Sequence, residues 1–481
     1  MNSKNKKRLI LFANRNPYVI KKEEGILVAE KTCGGLVTAI DPIMQQTGGV
    51  WMCWKPLDTE LWNPPKHSKF KLSEGIKVPL ENPSYLMKEV TLNPIEVNNY
   101  YNGYSNNVLW PLFHNFIEKC RFKETYWHYY SQVNEKFSES SKNLIRNDDL
   151  IWIHDYHFLL LPQMLRRHHS KNRIGFFLHI PFPPYEIFRI LPQAKEILSS
   201  LLECDVIGFH IKNYVYNFIN CVQNILKINI SFNKNFLVYN NRKILIKDFP
   251  LGINTEMFLN LSNKESVKKL TNKIKKSLNV SNIGIGVDRL DFTKGILQRL
   301  FAIEHFFENN AEYRGKMSFV QIIVPSRTGV KEYKEMRKLI EARIAHINGI
   351  FGSFDWKPIH YFYRSYNQEQ LISFYQAADF ALITPIIDGM NLVAQEYVLC
   401  SAQSAKLILS DFAGAAKILN KAITVNPYNI AEVSASLKKT LELSESTAKK
   451  NHQSQLDYIL KYNVFWWVKN FIEALKNKAR D

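Results

Sequence analysis

The stretch ADFALITPIIDGMNLVAQEYVLC, residues 378–400, decides the fold. Its first part, ADFALIT, reads as a buried strand, and Pro385 stops it. Asp388 and Gly389 then turn the chain, and a helical pattern follows with a single acid inside it, Glu396. Strand, polar turn and helix in that order are the repeating unit of parallel α/β proteins. The turn also carries one carboxylate at its mouth and another two turns further on. Amide N–H groups at such a helix start can bind a phosphate or a sugar oxygen, which makes Asp388 to Leu392 a candidate ligand turn. A carboxylate only accepts hydrogen bonds, so Glu396 suits the paired hydroxyls of a ribose. The plainer alternatives are a helix cap at Asp388 and a satisfied buried acid at Glu396.

The same alternation runs outward in both directions. RLILFAN (8–14), GVWMCW (49–54), DLIWIHD (149–155), RIGFFLH (173–179), DVIGFH (205–210) and KILIKDFPLG (243–252) read as strands in the first half. IGIGVDR (283–289), SFVQIIV (318–324), IHYFY (359–363), KLILS (406–410) and AITVN (422–426) join ADFALIT in the second. Helical patterns such as NEKFSESSKNLI and ILQRLFAIEHFFENN lie between them. An α/β fold with parallel sheets follows. A chain of 481 residues exceeds one ordinary core, so two similar domains are expected. The polar helical stretch around 253–280 marks their boundary, placing the domains at 1–255 and 256–450 with a helical tail over 451–481. Trp466 and Trp467 in that tail are expected to bury against another domain rather than bind ligand.

Composition narrows the function. The net charge is +19, which would suit a polyanionic partner, but KNKKR (4–8), the lysines of 268–276 and KNKAR near the end are short and dispersed. The reading is therefore no nucleic-acid partner, with some cations left to face phosphorylated small molecules. Six scattered cysteines without a CxxC pair read as reduced thiols of a cytoplasmic protein. No apolar run is long enough to span a bilayer, and LILFA is too short for a signal peptide. A homo-oligomer is neither required nor ruled out by the sequence.

Other motifs gather at strand ends. GVDRLDFTKG (286–295) places Arg289 and Lys294 where two cations could converge on one phosphate group; ion pairs with Asp288 or Asp291 are the alternative. GGLVTAIDPIM (34–44) puts two glycines at a helix start, where backbone N–H groups can approach an anion. IWIHDYHFLLLP (151–162) and FFLHIPFPPYEIF (176–188) bring Asp155 and His179 to the ends of two strands. His154 and His157 invite a metal reading, but no further ligand pattern supports it, so no metal is assigned. YYNGYSNNVLWPLFH (100–114) is aromatic and polar together, and Arg327 ends the strand before PSRTG.

Together these motifs resemble the trehalose-6-phosphate synthase family of retaining nucleotide-sugar glycosyltransferases. ANR, GGL, YYN-x-x-SN-x-x-LWP, WIHDYH, GFFLHIPFP, RLD-x-x-KG, PSR, DGMNLVA-x-EYV and FAGAA occur in the family's order, from about residue 8 to 470. The resemblance implies two Rossmann-like domains facing a cleft, the glycosyltransferase type B fold, with the C-terminal helix crossing back to the first domain. It implies transfer of glucose from a nucleotide donor, usually UDP-glucose, to glucose 6-phosphate, with no cofactor and no metal. Arg289 and Lys294 would hold the donor diphosphate, and Gly35 would approach it. Asp388, Gly389, Met390, Asn391 and Leu392 would hold donor glucose and phosphate, and Glu396 the ribose. Asp155 and His179 would border the reacting sugars. Arg15, Tyr101, Trp110 and Arg327 would hold glucose 6-phosphate.

Three positions depart from the family's pattern. Ile386-Ile387 stand where Leu-Arg is common, Gln395 where a Lys is usual, and Ala13 where a Ser is usual. The first two read as cations missing from the donor side, which leaves UDP, GDP and ADP open. A sibling activity making glucosylglycerol phosphate, a pseudo-glycosidic transferase and a catalytically weak regulatory member are the alternatives. Tyr101, Trp110 and Arg327 favour glucose 6-phosphate, and Arg289, Lys294, Asp388 and Glu396 argue against the regulatory reading.

Overall fold

Leu9–Phe12 is buried at all four positions, and each apolar run named above likewise contains a strand. Continuous apolar runs of this kind are what parallel strands covered on both faces require. The computed structural model describes residues 7–23, 26–32, 35–54, 75–228, 235–327 and 331–477. It divides into two units, Met1–Pro250 with Trp467–Asp481, and Leu251–Trp466.

In the first unit the strands are β1 (Leu9–Phe12), β2 (Tyr18–Glu23), β3 (Ile26–Lys31), β4 (Gly49–Trp54), β5 (Ile76–Val78) and β6 (Tyr85–Val90). They continue with β7 (Leu150–His154), β8 (Arg173–Phe177), β9 (Val206–Phe209), β10 (Phe236–Tyr239) and β11 (Arg242–Asp248). Nine of them form one sheet in the order β10-β11-β9-β8-β7-β1-β4-β6-β5. Its interior pairings are parallel, and only the edge strands β10 and β5 run antiparallel to their neighbours. β2 and β3 make a separate antiparallel hairpin.

The last helix, Val464–Lys476, supplies part of this unit's core. Trp467 and Phe471 are fully buried, and Phe471 stacks on Trp152 of β7 at 4.5 Å. The fit is close: a Cβ at Gly175 would lie 2.7 Å from the Phe471 ring. Burying each such ring contributes about 2–3 kcal/mol. Trp467 is enclosed by the rings of Trp152 and Phe177, while Trp466 is half-buried against Tyr462.

The second unit has one all-parallel sheet of six strands. These are β12 (Asn282–Arg289), β13 (Met317–Val324), β14 (Ile359–Tyr363), β15 (Phe380–Ile383), β16 (Lys406–Ser410) and β17 (Ile423–Val425), in the order β14-β13-β12-β15-β16-β17. One core, around Ile285, Ile322, Tyr397 and Leu409, lies on one face; another, around Leu300, Phe306, Phe319 and Ile340, lies on the other. No helix among the described residues is long and apolar enough to cross a membrane.

Candidate active site

Each sheet reverses its strand order once, and ligands in open α/β sheets bind beyond the carboxyl ends of strands at such a reversal. In the first unit the reversal lies at β1, with β4 on one side and β7 on the other. Asp155 follows β7 directly, and His179 follows β8. Asp155 has φ +73° and ψ 169°, a region nearly reserved for glycine, at a cost of about 1–3 kcal/mol. Its Oδ1 accepts the His179 backbone N–H at 3.2 Å. The His179 carbonyl accepts from His210 Nε2–H at 3.1 Å, and the His179 ring meets the His154 ring, Nε2 to Nδ1, at 2.9 Å. Burial pushes His154 down to about 3 and His179 well below the ordinary histidine range, so both rings are neutral near pH 7.

Tyr101 and Trp110 are carried by an unusual element. Val97–Leu109 winds as a π-helix, entered through an Asn93/Glu96 capping box and continued by an α-turn over Trp110–Phe113. The half-buried Tyr101 ring packs on Trp54 at 5.6 Å and stacks on His157 at 5.8 Å. Trp110 is buried against His114 and Tyr156. Asn106 ties the group together, donating to the Tyr101 carbonyl at 2.7 Å and accepting from Tyr156 Oη at 3.2 Å. Arg15 is exposed just beyond β1, where its carbonyl accepts from Trp51 Nε1. Gly35 opens the helix Gly35–Thr47; Cys33 and Gly34 of the glycine pair's loop lie outside the described residues. Asp41 on this helix is fully buried and accepts from Tyr85 Oη (2.7 Å), Gln45 (2.8 Å) and Tyr18 Oη (3.1 Å), with Lys31 Nζ at 2.7 Å. It therefore pins the β2–β3 hairpin and the helix to each other.

In the second unit the reversal lies at β12, between β13 and β15. The turns after β12 and β15 are RLDFTKG and TPIIDGMN, and they are stitched together. Ile386 N–H donates to the Thr293 carbonyl at 2.8 Å, and Lys294 Nζ pairs with Asp388 Oδ2 at 2.5 Å. Gly295 has φ +62°, and a Cβ there would lie 2.2 Å from the Thr384 carbonyl, so a side chain would force the turns apart. Arg299 is buried beneath both turns. It donates to Thr384 Oγ1 (3.1 Å), Asp288 Oδ2 (2.5 Å), Gln321 Oε1 (3.1 Å) and the Lys294 carbonyl (3.4 Å). Asp288 is thus the partner of Arg299, and its pair is buried rather than superficial.

Asp291 organises the cations. It is fully buried, its Oδ1 accepts the Thr293 N–H and hydroxyl, and its Oδ2 lies 3.5 Å from Arg327 Nη1. Burial alone would raise its carboxyl, but Arg327, Arg289, Lys294 and the Thr293 N–H outweigh that and hold it below the usual range. Arg327 follows β13 with φ +47° and also donates to Tyr333 Oη. Of the nine positive-φ residues other than glycine among the described residues, three are candidate site residues: Asp155, Arg327 and Asn391. Five of the rest are asparagines, which tolerate that region, so the strain at Asp155 and Arg327 stands out.

The turn that opened the sequence reading carries its cap at Asn391, not Asp388. Asn391 Oδ1 accepts from Ala394 N at 3.2 Å, while its Nδ2 donates to Asp388 Oδ2 at 3.0 Å. Asp388 is held instead by Lys294 and by a backbone bridge to Ala413. Gly389 and Met390 are buried under Gly414 and Ala415, and Leu392 begins the helix Leu392–Cys400. Glu396 accepts from Tyr375 Oη at 3.1 Å, and burial pushes it up to about 7. Gln395 is buried and donates to the Leu251 carbonyl at 2.9 Å. Its side chain points into the fold, so this position does not mark a cation missing from a ligand site.

Sequence reasoning missed Asp291 as an organiser, Tyr375 as the partner of Glu396, and the His154–His179 contact. The signal for Asp291 was present, an acid between two cations in RLDFTK. Among the described residues one group of His and acids has atoms close enough for a metal, Glu135, Glu139 and His168; it includes neither His154 nor His157.

Cations and helix-start amides at the reversal of a parallel sheet suit a nucleoside diphosphate. The chain belongs to glycosyltransferase family 20, whose model matches residues 7–477. It is 38% identical over 474 residues to the UDP-forming alpha,alpha-trehalose-phosphate synthase of Candida albicans, covering 97% of each chain. A solved structure described as trehalose-6-phosphate from E. coli, bound with UDP-2-fluoro glucose, matches with TM-score 0.87 and 32% identity, covering 98% of this chain and 99% of that one. An alpha,alpha-trehalose-phosphate synthase (UDP-forming) from Burkholderia xenovorans, in complex with glucose-6-phosphate, matches with TM-score 0.86 and 29% identity, covering 98% and 100%.

Proposed function

We propose that this chain is an alpha,alpha-trehalose-phosphate synthase that moves glucose from UDP-glucose to glucose 6-phosphate, retaining the α configuration. The observation that carries the reading is the pair of stitched turns in the second unit. They set Arg289, Lys294 and the Asp388–Leu392 helix start at one strand reversal, as a nucleoside diphosphate needs. The UDP-forming relatives support UDP as the donor nucleotide. Glu396 is the ribose acceptor, and Arg15, Tyr101, Trp110 and Arg327 are the acceptor-sugar groups. The five described cysteines are buried free thiols, which supports a reducing, cytoplasmic setting.

The chemistry asks for positioning more than for a nucleophile. The bond from the donor anomeric carbon to the diphosphate oxygen breaks, and the acceptor hydroxyl oxygen bonds that carbon on the same face. The hydroxyl proton passes to the leaving phosphate. Negative charge grows on the diphosphate, so Arg289, Lys294 and the helix-start N–H groups act on the transition state. Asp388 holds Lys294, which would exchange that carboxylate for phosphate as the donor arrives. The test is UDP release from UDP-glucose with either glucose 6-phosphate or glycerol 3-phosphate. Release with glucose 6-phosphate is expected; turnover with glycerol 3-phosphate alone would reject the reading.

A further inference from the structure

The histidines at the ends of β7, β8 and β9 hold more information than their positions. His154 is fully buried, and only its Nδ1 has a hydrogen-bond partner, His179 Nε2 at 2.9 Å; its Nε2 has none among the described residues. Both rings are neutral, so one proton lies between the two nitrogens. Either His154 donates it or His179 does, and the choice fixes both tautomers.

The wall around His154 decides between them. If His179 donated, His154 would carry its own hydrogen on Nε2, an enclosed N–H without an acceptor. Such orphaned N–H groups are rare in native proteins. Besides His179, the rings packed on His154 are Trp152, at 4.5 Å, and Trp467, at 6.3 Å. Both indole N–H groups are themselves buried without an acceptor among the described residues. A third N–H in that wall would add to an excess of donors, whereas a bare Nε2 lone pair is complementary to it.

We propose that His154 is a positioning residue: its Nδ1–H donates to His179 Nε2 and locks His179 as the tautomer with hydrogen on Nδ1. His179 then presents a hydrogen-bond donor, not a base, at the open end of β8. Its backbone is fixed at the same time, by Asp155 on its N–H and His210 on its carbonyl. A donor there serves a sugar oxygen and cannot remove the acceptor proton, which leaves that proton to the departing phosphate. The last helix takes part through Trp467, whose ring lies beside both His154 and His179.

This inference rests on the sugar-bordering role read for His179, and the experiment separates the two. Ring-15N-histidine protein is examined by NMR without substrate, with the His179 signals identified by their loss in His179→Asn. Wild-type His179 is expected with hydrogen on Nδ1 and a bare Nε2; hydrogen on Nε2 would overturn the assignment, whatever the activity. His154→Phe is expected to shift His179 toward the Nε2–H form and to lower kcat about 10–100-fold while the KM for UDP-glucose changes less than threefold. His154→Asn, which keeps an N–H close to the Nδ1 position, is expected to restore the tautomer and most of kcat. Unchanged turnover in a folded His154→Phe, or Asn as slow as Phe, would overturn the positioning role. Should wild-type protein fail to release UDP, the proposed function falls, and the tautomer is still decided by the wild-type spectrum.

Discussion

The two strand reversals solve different problems with different materials. In the second unit the reversal is charged: Arg289, Lys294 and Arg327 surround the buried Asp291, and Asp388 holds Lys294. In the first unit the enclosed groups are mostly neutral: His154 and His179 are held uncharged among tyrosines, tryptophans and amides, with Asp155 and the exposed Arg15 as the charges beside them. A leaving diphosphate gains charge as the reaction proceeds, so fixed cations accelerate its departure. Sugar hydroxyls gain little charge and are better oriented by donors of fixed direction. On the proposed roles, the second sheet's turns supply most of the charge and the enclosed groups of the first supply direction.

The sharpest way to break that contrast is to remove a cation. Lys294→Ala is expected to lower kcat about 100–1000-fold in a UDP-release assay, with a much smaller change in UDP binding. Equal losses in kcat and in UDP affinity would mean that Lys294 serves ground-state binding alone.

Removing the organiser comes next. Asp291→Asn leaves half-buried cations without their enclosed counter-charge and is expected to destabilise the protein by about 3 kcal/mol in denaturant titrations near pH 7. The Asp291 carboxyl is held below the aspartate reference of 3.8, so its contribution is full above that pH and is lost as pH falls through the lowered value. Wild type and variant should therefore converge on acidification, and a gap that stays constant to pH 2 would assign the loss to packing.

A smaller effect sharpens the comparison inside the second unit. Arg327→Ala should raise the KM for glucose 6-phosphate about 10–150-fold and leave the KM for UDP-glucose nearly unchanged, because a charged hydrogen bond contributes about 1.5–3 kcal/mol. Equal shifts in both constants would place Arg327 with the donor.

The smallest expected effect is at Glu396. Its carboxyl titrates at about 7, and only the ionised form accepts from both ribose hydroxyls. UDP affinity by calorimetry should fall as pH drops from 8 to 6, and Glu396→Gln should weaken UDP about fivefold at pH 8 but less at pH 6. Titration of UDP itself is common to both proteins and cancels in their ratio; a ratio independent of pH would make Glu396 a structural acid.

The strands were legible because parallel strands buried on both faces must be unbroken apolar runs, as IWIH and FALI are. The hairpin β2–β3 was not, because YVIKKE and ILVAEK are mixed in polarity. The π-helix over Val97–Leu109 follows neither the helical nor the strand period, so its sequence shows only aromatic and polar residues together. Around the ligand turns, residue type identified the cations but not their burial. RLDFTK shows an acid beside cations, yet only the fold shows Asp291 fully enclosed. Asp388 and Asn391 are both good cap residues, and the turn's backbone path, with φ +74° at Asn391, decides for the second. Gln395 looked like a lost cation because sequence does not give the direction of a side chain on a helix buried on most of its faces. The His154–His179 contact joins two strands through space, which no local motif encodes.

The most direct measurement is the structure of the product. Incubated with UDP-glucose and glucose 6-phosphate, the protein should yield one new disaccharide phosphate whose two anomeric protons are both α by proton NMR, together with an equal amount of UDP. A β configuration at the transferred glucose, or free glucose as the only new sugar, would contradict retention by a displacement in which the leaving diphosphate takes the acceptor's proton.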